Sequence, residues 1–237
     1  MNRPGYLRRF FSYKTILAPH GFTAIMKGRR GRCLMDRWIS PEERCSFIEK
    51  QGIRYMKKAE IISHSSFDKD LTQSPYYLEN KEEFDHLTAL YGPQIRSESM
   101  APVSIRFIAK ELGYGLFAEK DLDAGALIGE YCGIVQEGRD VSPDEGEGEG
   151  YETDYTWDYP DAWYEDILFE INALENGNEL RYVNHSFEPN LVVEHTLLDN
   201  RWVIFFIAEH YIKKGTQLTV DYGEEYWSGG FRELILF

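Results

Sequence analysis

The chain has 237 residues, of which 43% are hydrophobic, and a formal net charge of -14. This length is sufficient for one domain with a buried core and a smaller appendage. No apolar run reaches the ~20 residues that a membrane-spanning helix needs. The three separated cysteines (Cys33, Cys45 and Cys132) fit neither a disulfide framework nor a four-cysteine zinc site, so we expect an intracellular protein.

The charge is divided unevenly along the chain. Residues 1–100 hold 17 Lys and Arg and 12 Asp and Glu, a net +5, whereas residues 101–237 hold 9 and 28, a net -19. A negative field repels nucleic-acid phosphates and attracts cations. We therefore expect no direct nucleic-acid binding by the acidic part and a basic peptide as its partner. The alternative is an acidic surface that only keeps the protein soluble.

Residues 1–100 are predicted to form a small, mainly helical module of unknown role. Ser40-Pro41-Glu42-Glu43 has the residues of a capped helix start, with proline at the first helical position. A second helix is predicted to begin at Asn80 and to end at Gly92-Pro93. Its apolar residues at helical spacing are Phe84, Leu87, Leu90 and Tyr91.

From residue 101 onward, short β-like runs alternate with turns rich in Gly, Asp and Asn. Such spacing predicts a mostly β (α+β) domain built from several small sheets over residues 101–237. The predicted strands are Val103–Ala109, Ala126–Tyr131, Gly133–Val135, Ile167–Ile171, Leu191–Val193, Trp202–Ala208 and Gln217–Val220.

The stretch from Gly113 to Ala118 formally fits the dinucleotide fingerprint G-x-G-x-x-[GA]. That fingerprint requires a long helix to follow, so that a pyrophosphate can rest on the helix N-terminus. Turn residues and a strand follow here, from Asp121 to Gly125, so a Rossmann fold is disfavoured. Two interpretations stay open: a backbone that a ligand can approach closely, or a glycine-rich strand crossing.

The segment from Arg181 to Asn190 concentrates a guanidinium, two amides and an imidazole between apolar runs. His185 and Ser186 are adjacent, which rarely allows the hydrogen bond of a hydrolase triad, and no G-x-S-x-G elbow occurs. A metal site made from three of the chain's six histidines, His185, His195 and His210, lacks ligand spacing. Alone, this segment is equally well an ordinary polar turn.

Taken in order, four segments of the chain resemble the SET domain, the fold of protein-lysine methyltransferases. They are Gly113–Ala118, Gly129–Gly133, Arg181–Asn190 and Gln217–Gly223. The last two together are highly specific. The resemblance implies that these two segments meet in a knot-like C-terminal crossing. It also indicates a zinc-free type, since the cysteine clusters that flank the domain in many relatives do not occur in this sequence.

The resemblance also implies S-adenosyl-L-methionine as cofactor. The backbone at Leu112, Gly113 and Tyr114 would hold it, the Asn184 side chain would bind its methionyl part, and the His185 backbone its adenine. The remaining residues that the resemblance places around this pocket are Asp154, Tyr155, Arg181, Tyr222 and Trp227.

A narrow substrate channel would be lined by Tyr131, Tyr155, Val220 and Tyr222, with the three tyrosines as catalytic residues and Tyr222 foremost. A cationic lysine cannot attack, so the amine must lose its proton. An aromatic channel desolvates the amine, which lowers the pKa of the lysine. The same rings tolerate the methylated product through cation–π attraction. Val220 is smaller than the aromatic residue of many relatives. We therefore expect di- or trimethylation.

The expected function is methylation of lysine in a basic protein, most simply a histone or histone-like tail. Such an enzyme would be chromatin-associated, in the nucleus of a eukaryote or of a host and otherwise in the cytoplasm. The apolar C-terminal tail Leu234–Phe237 is expected to support a homodimer. The alternative function is a non-catalytic SET-like module that binds basic tails.

Overall fold

A computed structural model describes residues 38–40, 42–62, 64–110, 112–138 and 155–223. These residues form three α-helices: Arg44–Lys50 (α1), Pro75–Glu79 (α2) and Lys81–Arg96 (α3). The first seven strands are Trp38–Ile39 (β1), Arg54–Tyr55 (β2), Glu60–Ile61 (β3), Val103–Ala109 (β4), Gly113–Ala118 (β5), Leu127–Glu130 (β6) and Ile134–Glu137 (β7). The others are Thr156–Tyr159 (β8), Phe169–Asn172 (β9), Asn176–Gly177 (β10), Asn184–His185 (β11), Leu191–Leu198 (β12), Arg201–Ala208 (β13) and Thr219–Val220 (β14).

The strands are arranged in small separate sheets, as predicted for a mostly β fold. Three sheets have three or four strands, in the orders β1-β4-β5, β12-β13-β6 and β3-β7-β9-β8. Two more are parallel pairs of two-residue strands, β10 with β2 and β11 with β14. The β11–β14 pair is the predicted meeting of the Asn-His segment with the segment before Tyr222.

The β12–β13 hairpin forms the centre of the core. Its turn residues Asp199 and Asn200 both have positive φ, 53° and 58°, which suits a tight hairpin turn and is tolerated by Asp and Asn. Strand β13 is buried on both faces, and Trp202, Phe205 and Phe206 are each fully buried. The hairpin therefore supplies the largest fully buried side chains of the core.

The predicted strand Val103–Ala109 is found with the same bounds, and Gly113–Ala118 is the glycine-rich strand β5. β5 pairs antiparallel with β4 through a register shift near Ala109, and a turn follows it instead of a helix. The stretch therefore lacks the strand-then-helix context of a dinucleotide site.

The predicted end of the second helix at Gly92-Pro93 is wrong, because α3 continues to Arg96 with Pro93 inside it. The extra turn places Ile95, 1% exposed, in a cluster with Tyr91, Leu198 and Phe205. Burial of this side chain outweighs the backbone hydrogen bond that proline cannot donate. The predicted start is close, with Asn80 preceding the helix.

The predicted first helix begins later than the sequence indicated. The capping pattern placed its start at Ser40, whereas α1 starts at Arg44 after Glu43, and Glu43 makes no side-chain cap hydrogen bond. The backbone carbonyl of Ser40 instead accepts hydrogen bonds from the N–H groups of Glu43 and Arg44, at 3.0 and 3.1 Å.

The described residues before position 101 contain strands as well as the predicted helices. β1 pairs with β4, β2 with β10 and β3 with β7. The side chain of Asn200 accepts a hydrogen bond from the Leu71 N–H at 2.8 Å and donates to the Lys69 carbonyl at 3.0 Å. A domain boundary at residue 100 stays a prediction, but these contacts join both sides of it.

Candidate active site

The parallel β11–β14 pair brings the two most specific sequence segments side by side. Asn184 lies opposite Thr219, and His185 lies opposite Val220. The Asn190 amide holds the pair from its flank, since its Nδ2 donates to the Gln217 carbonyl at 2.7 Å and its Oδ1 accepts from the Thr219 N–H at 3.0 Å. A two-residue parallel pair has few hydrogen bonds of its own, so this side chain stabilises the crossing.

His185 connects β11 to the tyrosine that follows β14. Its Nδ1 accepts a hydrogen bond from the Tyr222 N–H at 3.1 Å. Burial lowers the pKa of His185, and Asp221, 3.7 Å from Nδ1, opposes that shift. The ring is therefore neutral near pH 7 with its proton on Nε2. It positions the Tyr222 backbone.

Tyr222 itself is held at both ends. Its hydroxyl donates to the Val183 carbonyl at 2.6 Å, and its ring lies 5.4 Å from the His185 ring. Val220, two residues earlier, is 1% exposed and belongs to the main core. The predicted catalytic tyrosine therefore stands beside the Asn-His strand with its hydroxyl in a defined place.

Asn184 joins this crossing to strand β5. Its Nδ2 donates to the Tyr114 carbonyl at 3.2 Å. A Cβ on Gly115 would lie 2.5 Å from Ile108 Cδ1 and 3.1 Å from Asn184 Nδ2. A side chain at position 115 would therefore displace the end of Ile108 and crowd the Asn184 amide. Leu112, just before the strand, is half-buried.

Four aromatic rings form a wall next to Tyr222, here called the aromatic wall: Tyr131, Trp157, Phe206 and Tyr222. Tyr131 stacks on Phe206 with centroids 5.7 Å apart. The Trp157 ring stands nearly perpendicular to the other three, at 6.1 Å from Tyr131, 5.7 Å from Phe206 and 6.1 Å from Tyr222. Trp157 therefore links Tyr131 to Tyr222.

Sequence reasoning did not assign Trp157 or Phe206 to the site. Trp157 lies two residues after Tyr155, which the sequence assigned to the substrate channel. That spacing was the available signal. Phe206 lies in a continuous apolar strand, where nothing distinguishes a ring at the site from a ring in the core.

Tyr155 bridges the aromatic wall and the predicted cofactor side. Its carbonyl accepts hydrogen bonds from the Tyr131 hydroxyl at 2.6 Å and from the Ala173 N–H at 3.0 Å. Its ring lies 3.9 Å from the Arg181 guanidinium carbon. Tyr155 has φ +72°, a left-handed conformation that is unfavourable for a tyrosine. The two hydrogen bonds and the cation–π contact hold it there.

Arg181 is 7% exposed, and its charge has specific partners. Its Nε and Nη2 donate to the carbonyls of Ala173 and Leu174, both at 3.0 Å. The guanidinium also faces the Tyr182 ring at 5.3 Å. Arg181 therefore fixes the loop before β10 against Tyr155.

The structure brings together Tyr114, Asn184, His185 and Tyr222 on one side, and Tyr131, Tyr155, Arg181 and Tyr222 on the other. Two predicted residues, Asp154 and Trp227, lie outside the described residues. Within the described ranges, no group of three or more His, Cys, Asp or Glu side chains is arranged to hold a metal ion. In the same ranges, no helix is both long and apolar enough to span a membrane.

Comparison with known proteins gives a match of residues 113–223 to the family model of the SET domain. A putative histone-lysine N-methyltransferase, ASHH4, of Arabidopsis thaliana is 30% identical over 119 residues, which cover 48% of this chain and 31% of the relative. Human histone-lysine N-methyltransferase 2D is 27% identical over 193 residues, covering 75% of this chain and 3% of the relative. The chain thus spans less than a third of the length of these relatives.

Among solved structures, a crystal structure of ATXR5 in complex with histone H3.1 is similar, with a TM-score of 0.58 and 17% sequence identity. The similarity covers 82% of this chain and 93% of that one. At this identity the likeness concerns the fold. It agrees with the arrangement of small sheets described above.

Proposed function

We propose that this chain, whose residues 113–223 match the family model of the SET domain, is an S-adenosylmethionine-dependent protein-lysine N-methyltransferase. The observation that carries the proposal is the junction at Tyr222. There the His185 ring accepts a hydrogen bond from the Tyr222 N–H, the Tyr222 hydroxyl donates to the Val183 carbonyl, and the Trp157 ring of the aromatic wall stands 6.1 Å from the Tyr222 ring. A cofactor side and a substrate side would meet at this residue.

The residues on the cofactor side suit a ligand that approaches the backbone closely. Gly113 has φ +69°, and a Cβ placed there would have no atom within 4 Å. The backbone at Leu112, Gly113 and Tyr114 would hold the cofactor, with Asn184 at its methionyl part and the His185 backbone at its adenine. Tyr155, Arg181 and Tyr222 would border it, joined by Asp154 and Trp227. Bound S-adenosylmethionine supplies a methyl group on a positively charged sulfur.

The aromatic wall would prepare the lysine for attack. Removing water from the amine favours its neutral form, which alone has the lone pair that attacks. Most of the rate enhancement would then come from aligning this lone pair with the methyl group. The rings also attract the methylated cation that forms.

The tyrosine hydroxyls would act as hydrogen-bonding groups and not as bases. Burial raises the pKa of Tyr131 far above its ordinary value, so its hydroxyl keeps its proton and donates to the Tyr155 carbonyl. The Tyr222 hydroxyl, fixed on the Val183 carbonyl, offers its oxygen to an amine N–H. The proton of the incoming lysine would be lost to water before attack.

We propose a basic protein tail, most simply that of a histone, as substrate. The relatives named above are histone-lysine methyltransferases, and ATXR5 was solved with histone H3.1. The net charge of -19 over residues 101–237 favours encounter with such a tail and disfavours direct nucleic-acid binding. Association with chromatin, nuclear in a eukaryote or a host, would follow.

Two finer proposals concern product and assembly. Val220 offers a small side chain beside Tyr222, so we propose di- or trimethylation, which mass spectrometry of the product would read directly. The C-terminal residues after 223 lie outside the described residues. We propose a homodimer formed through Leu234–Phe237, which analytical ultracentrifugation would detect as twice the mass of one chain.

Calorimetric titration with S-adenosylmethionine tests the cofactor assignment. The wild-type protein should bind, and Asn184→Ala should bind at least about tenfold more weakly, as expected for losing one well-placed polar contact. Asn80→Ala is a matched control, because Asn80 Nδ2 likewise donates to a single backbone carbonyl, that of Tyr76. A wild-type protein that binds basic tails but no cofactor would contradict the enzyme and support the non-catalytic module.

A further inference from the structure

The segment Arg44–Met56, here called the α1–β2 unit, packs against Tyr114 and Tyr182, next to the residues proposed to hold the cofactor. We propose that this unit shapes the cofactor site and that Phe47 is a positioning residue for cofactor binding. The inference rests on the proposed function. It assigns a part in cofactor binding to residues that lie outside the matched residues 113–223 in the sequence. Three sets of contacts carry it.

The first set ties β2 to the chain that leads into the site. β2 pairs in parallel with β10, placing Arg54 opposite Asn176 and Tyr55 opposite Gly177. The pairing extends through the Arg54 N–H to the Glu175 carbonyl at 2.8 Å and the Met56 N–H to the Gly177 carbonyl at 2.9 Å. The β2 strand thereby stabilises the loop before β10, whose Ala173 and Leu174 carbonyls accept hydrogen bonds from Arg181.

The second set is a buried carboxylate. Glu179 is fully buried and begins the 3-10 turn Glu179–Tyr182, which carries Arg181. Its Oε1 pairs with Arg44 Nε and accepts from the Tyr55 hydroxyl, the latter at 2.9 Å. A buried carboxylate is tolerated only with such partners. Both partners come from the α1–β2 unit.

The third set reaches the site residues themselves. The Phe47 ring stands edge-on to Tyr114, with centroids 5.1 Å apart, and 6.2 Å from Tyr182. Gln51 Nε2 donates to the Tyr182 hydroxyl at 3.1 Å. The carbonyl of Tyr114 is the one that Asn184 binds. Phe47 thus packs on Tyr114, whose backbone would bind the cofactor.

Phe47→Ala tests the inference in the full chain. S-adenosylmethionine should bind about fivefold more weakly by calorimetry, in line with the loss of an edge-on ring contact. In kinetics, KM for the cofactor should rise while KM for a histone-tail peptide stays unchanged. Phe47→Tyr, which keeps the ring, should restore binding.

Phe67→Ala is the matched control for a structural effect. Phe67 is also half-buried, but its ring packs on Tyr159 and Phe169, away from the cofactor side. It should lower the melting temperature with no change in cofactor affinity. If Phe47→Ala and Phe67→Ala change cofactor affinity equally, the inference is overturned.

Gln51→Ala keeps the proposal testable if Phe47→Ala does not fold. Gln51 is exposed, and we expect about twofold weaker cofactor binding, with Gln73→Ala as control because exposed Gln73 donates to its neighbour Thr72. Unchanged affinity in Gln51→Ala would then count against the inference. Wild-type protein that binds no cofactor would refute the proposed function and this inference with it, whereas normal wild-type binding with unaffected variants refutes only the inference.

Discussion

Tyr222 is the residue on which the proposed chemistry depends. Its backbone is bound by His185 and its hydroxyl by the Val183 carbonyl, so the oxygen is placed before any substrate arrives. Preorganised polar groups of this kind account for a large part of enzymatic rate enhancement.

Tyr222→Phe should lower the turnover number by about 100-fold or more, because it removes only the preorganised hydroxyl. Cofactor affinity should change little, and stability should fall by about 1 kcal/mol for the lost hydrogen bond. Initial rates with labelled cofactor measure the first effect. Tyr211→Phe, at a tyrosine that is 54% exposed, is the control and should have wild-type rates. Equal turnover in the two variants would remove Tyr222 from the mechanism.

A second residue-scale prediction concerns pH. His195 is buried, its Nε2 lies 2.7 Å from the Tyr76 hydroxyl, and desolvation lowers its pKa to about 4. The unfolded chain takes up this proton near pH 6.5 and the folded chain only near 4. Between these values the unfolded state binds more protons, so stability falls as the pH falls from 6.5 toward 4.

At pH 5 this single group should cost about 2 kcal/mol of unfolding free energy relative to pH 7. His195→Gln should lack that component, which urea unfolding at both pH values would show as a smaller loss. His86→Gln, at an exposed position on α3, should keep the wild-type slope. A wild-type slope in His195→Gln would show that the imidazole does not titrate as its burial requires.

At the residue scale, the sequence identified the polar residues of the site better than the aromatic ones. The Asn184-His185 segment and Tyr222 were expected to meet, and β11 and β14 place them side by side. Trp157 was not assigned, because an aromatic residue on a strand is far more often part of the core. The support from Phe47 could not be foreseen, because it depends on how distant segments pack.

At the element scale, long apolar runs were predictable and two-residue strands were not. Val103–Ala109 and the hairpin strand Arg201–Ala208 follow clear β patterns. β1, β2 and β3 are too short to show any periodicity, and only their partners make them strands. Pro93 misled because tertiary burial of Ile95 overrode a local helix-breaking signal.

Gly133, just before β7, lies against the end of β9 in the sheet β3-β7-β9-β8. A Cβ there would lie 2.5 Å from the Asn172 carbonyl oxygen, which is backbone and cannot rotate away. Gly133→Ala should therefore destabilise the protein by about 1–3 kcal/mol in urea unfolding.

Gly138→Ala, in the same sheet region, is the matched control. Its Cβ would meet Leu168 Cβ at 3.4 Å, an ordinary contact, so its unfolding free energy should stay near that of the wild type. If Gly133→Ala were as stable as Gly138→Ala, the close packing of β7 on β9 at Asn172 would be wrong.

At the scale of the whole molecule, the uneven charge becomes a kinetic prediction. The net charge of -19 over residues 101–237 should attract a basic tail at long range. Raising the salt from about 50 to about 200 mM shortens the Debye length from roughly 14 to 7 Å. The value of kcat/KM for a histone-tail peptide should then fall by roughly threefold or more.

The control is a peptide with the same target lysine and neutral flanking residues. At low salt its kcat/KM should be lower than that of the basic peptide. It should also depend only weakly on salt, because the acidic surface attracts the flanking basic residues, which this peptide lacks. Identical salt dependence for both peptides would show that the acidic surface only maintains solubility.

The central claim is that this fold transfers methyl groups from S-adenosylmethionine to lysine. The most direct measurement incubates the wild-type chain and labelled cofactor with core histones and a peptide array, followed by mass spectrometry of the product. We predict labelled lysine within a basic tail, carrying two or three methyl groups, and label formed about 100-fold or more slowly with Tyr222→Phe. Wild-type protein that binds the cofactor but labels no lysine in any basic substrate would contradict the account.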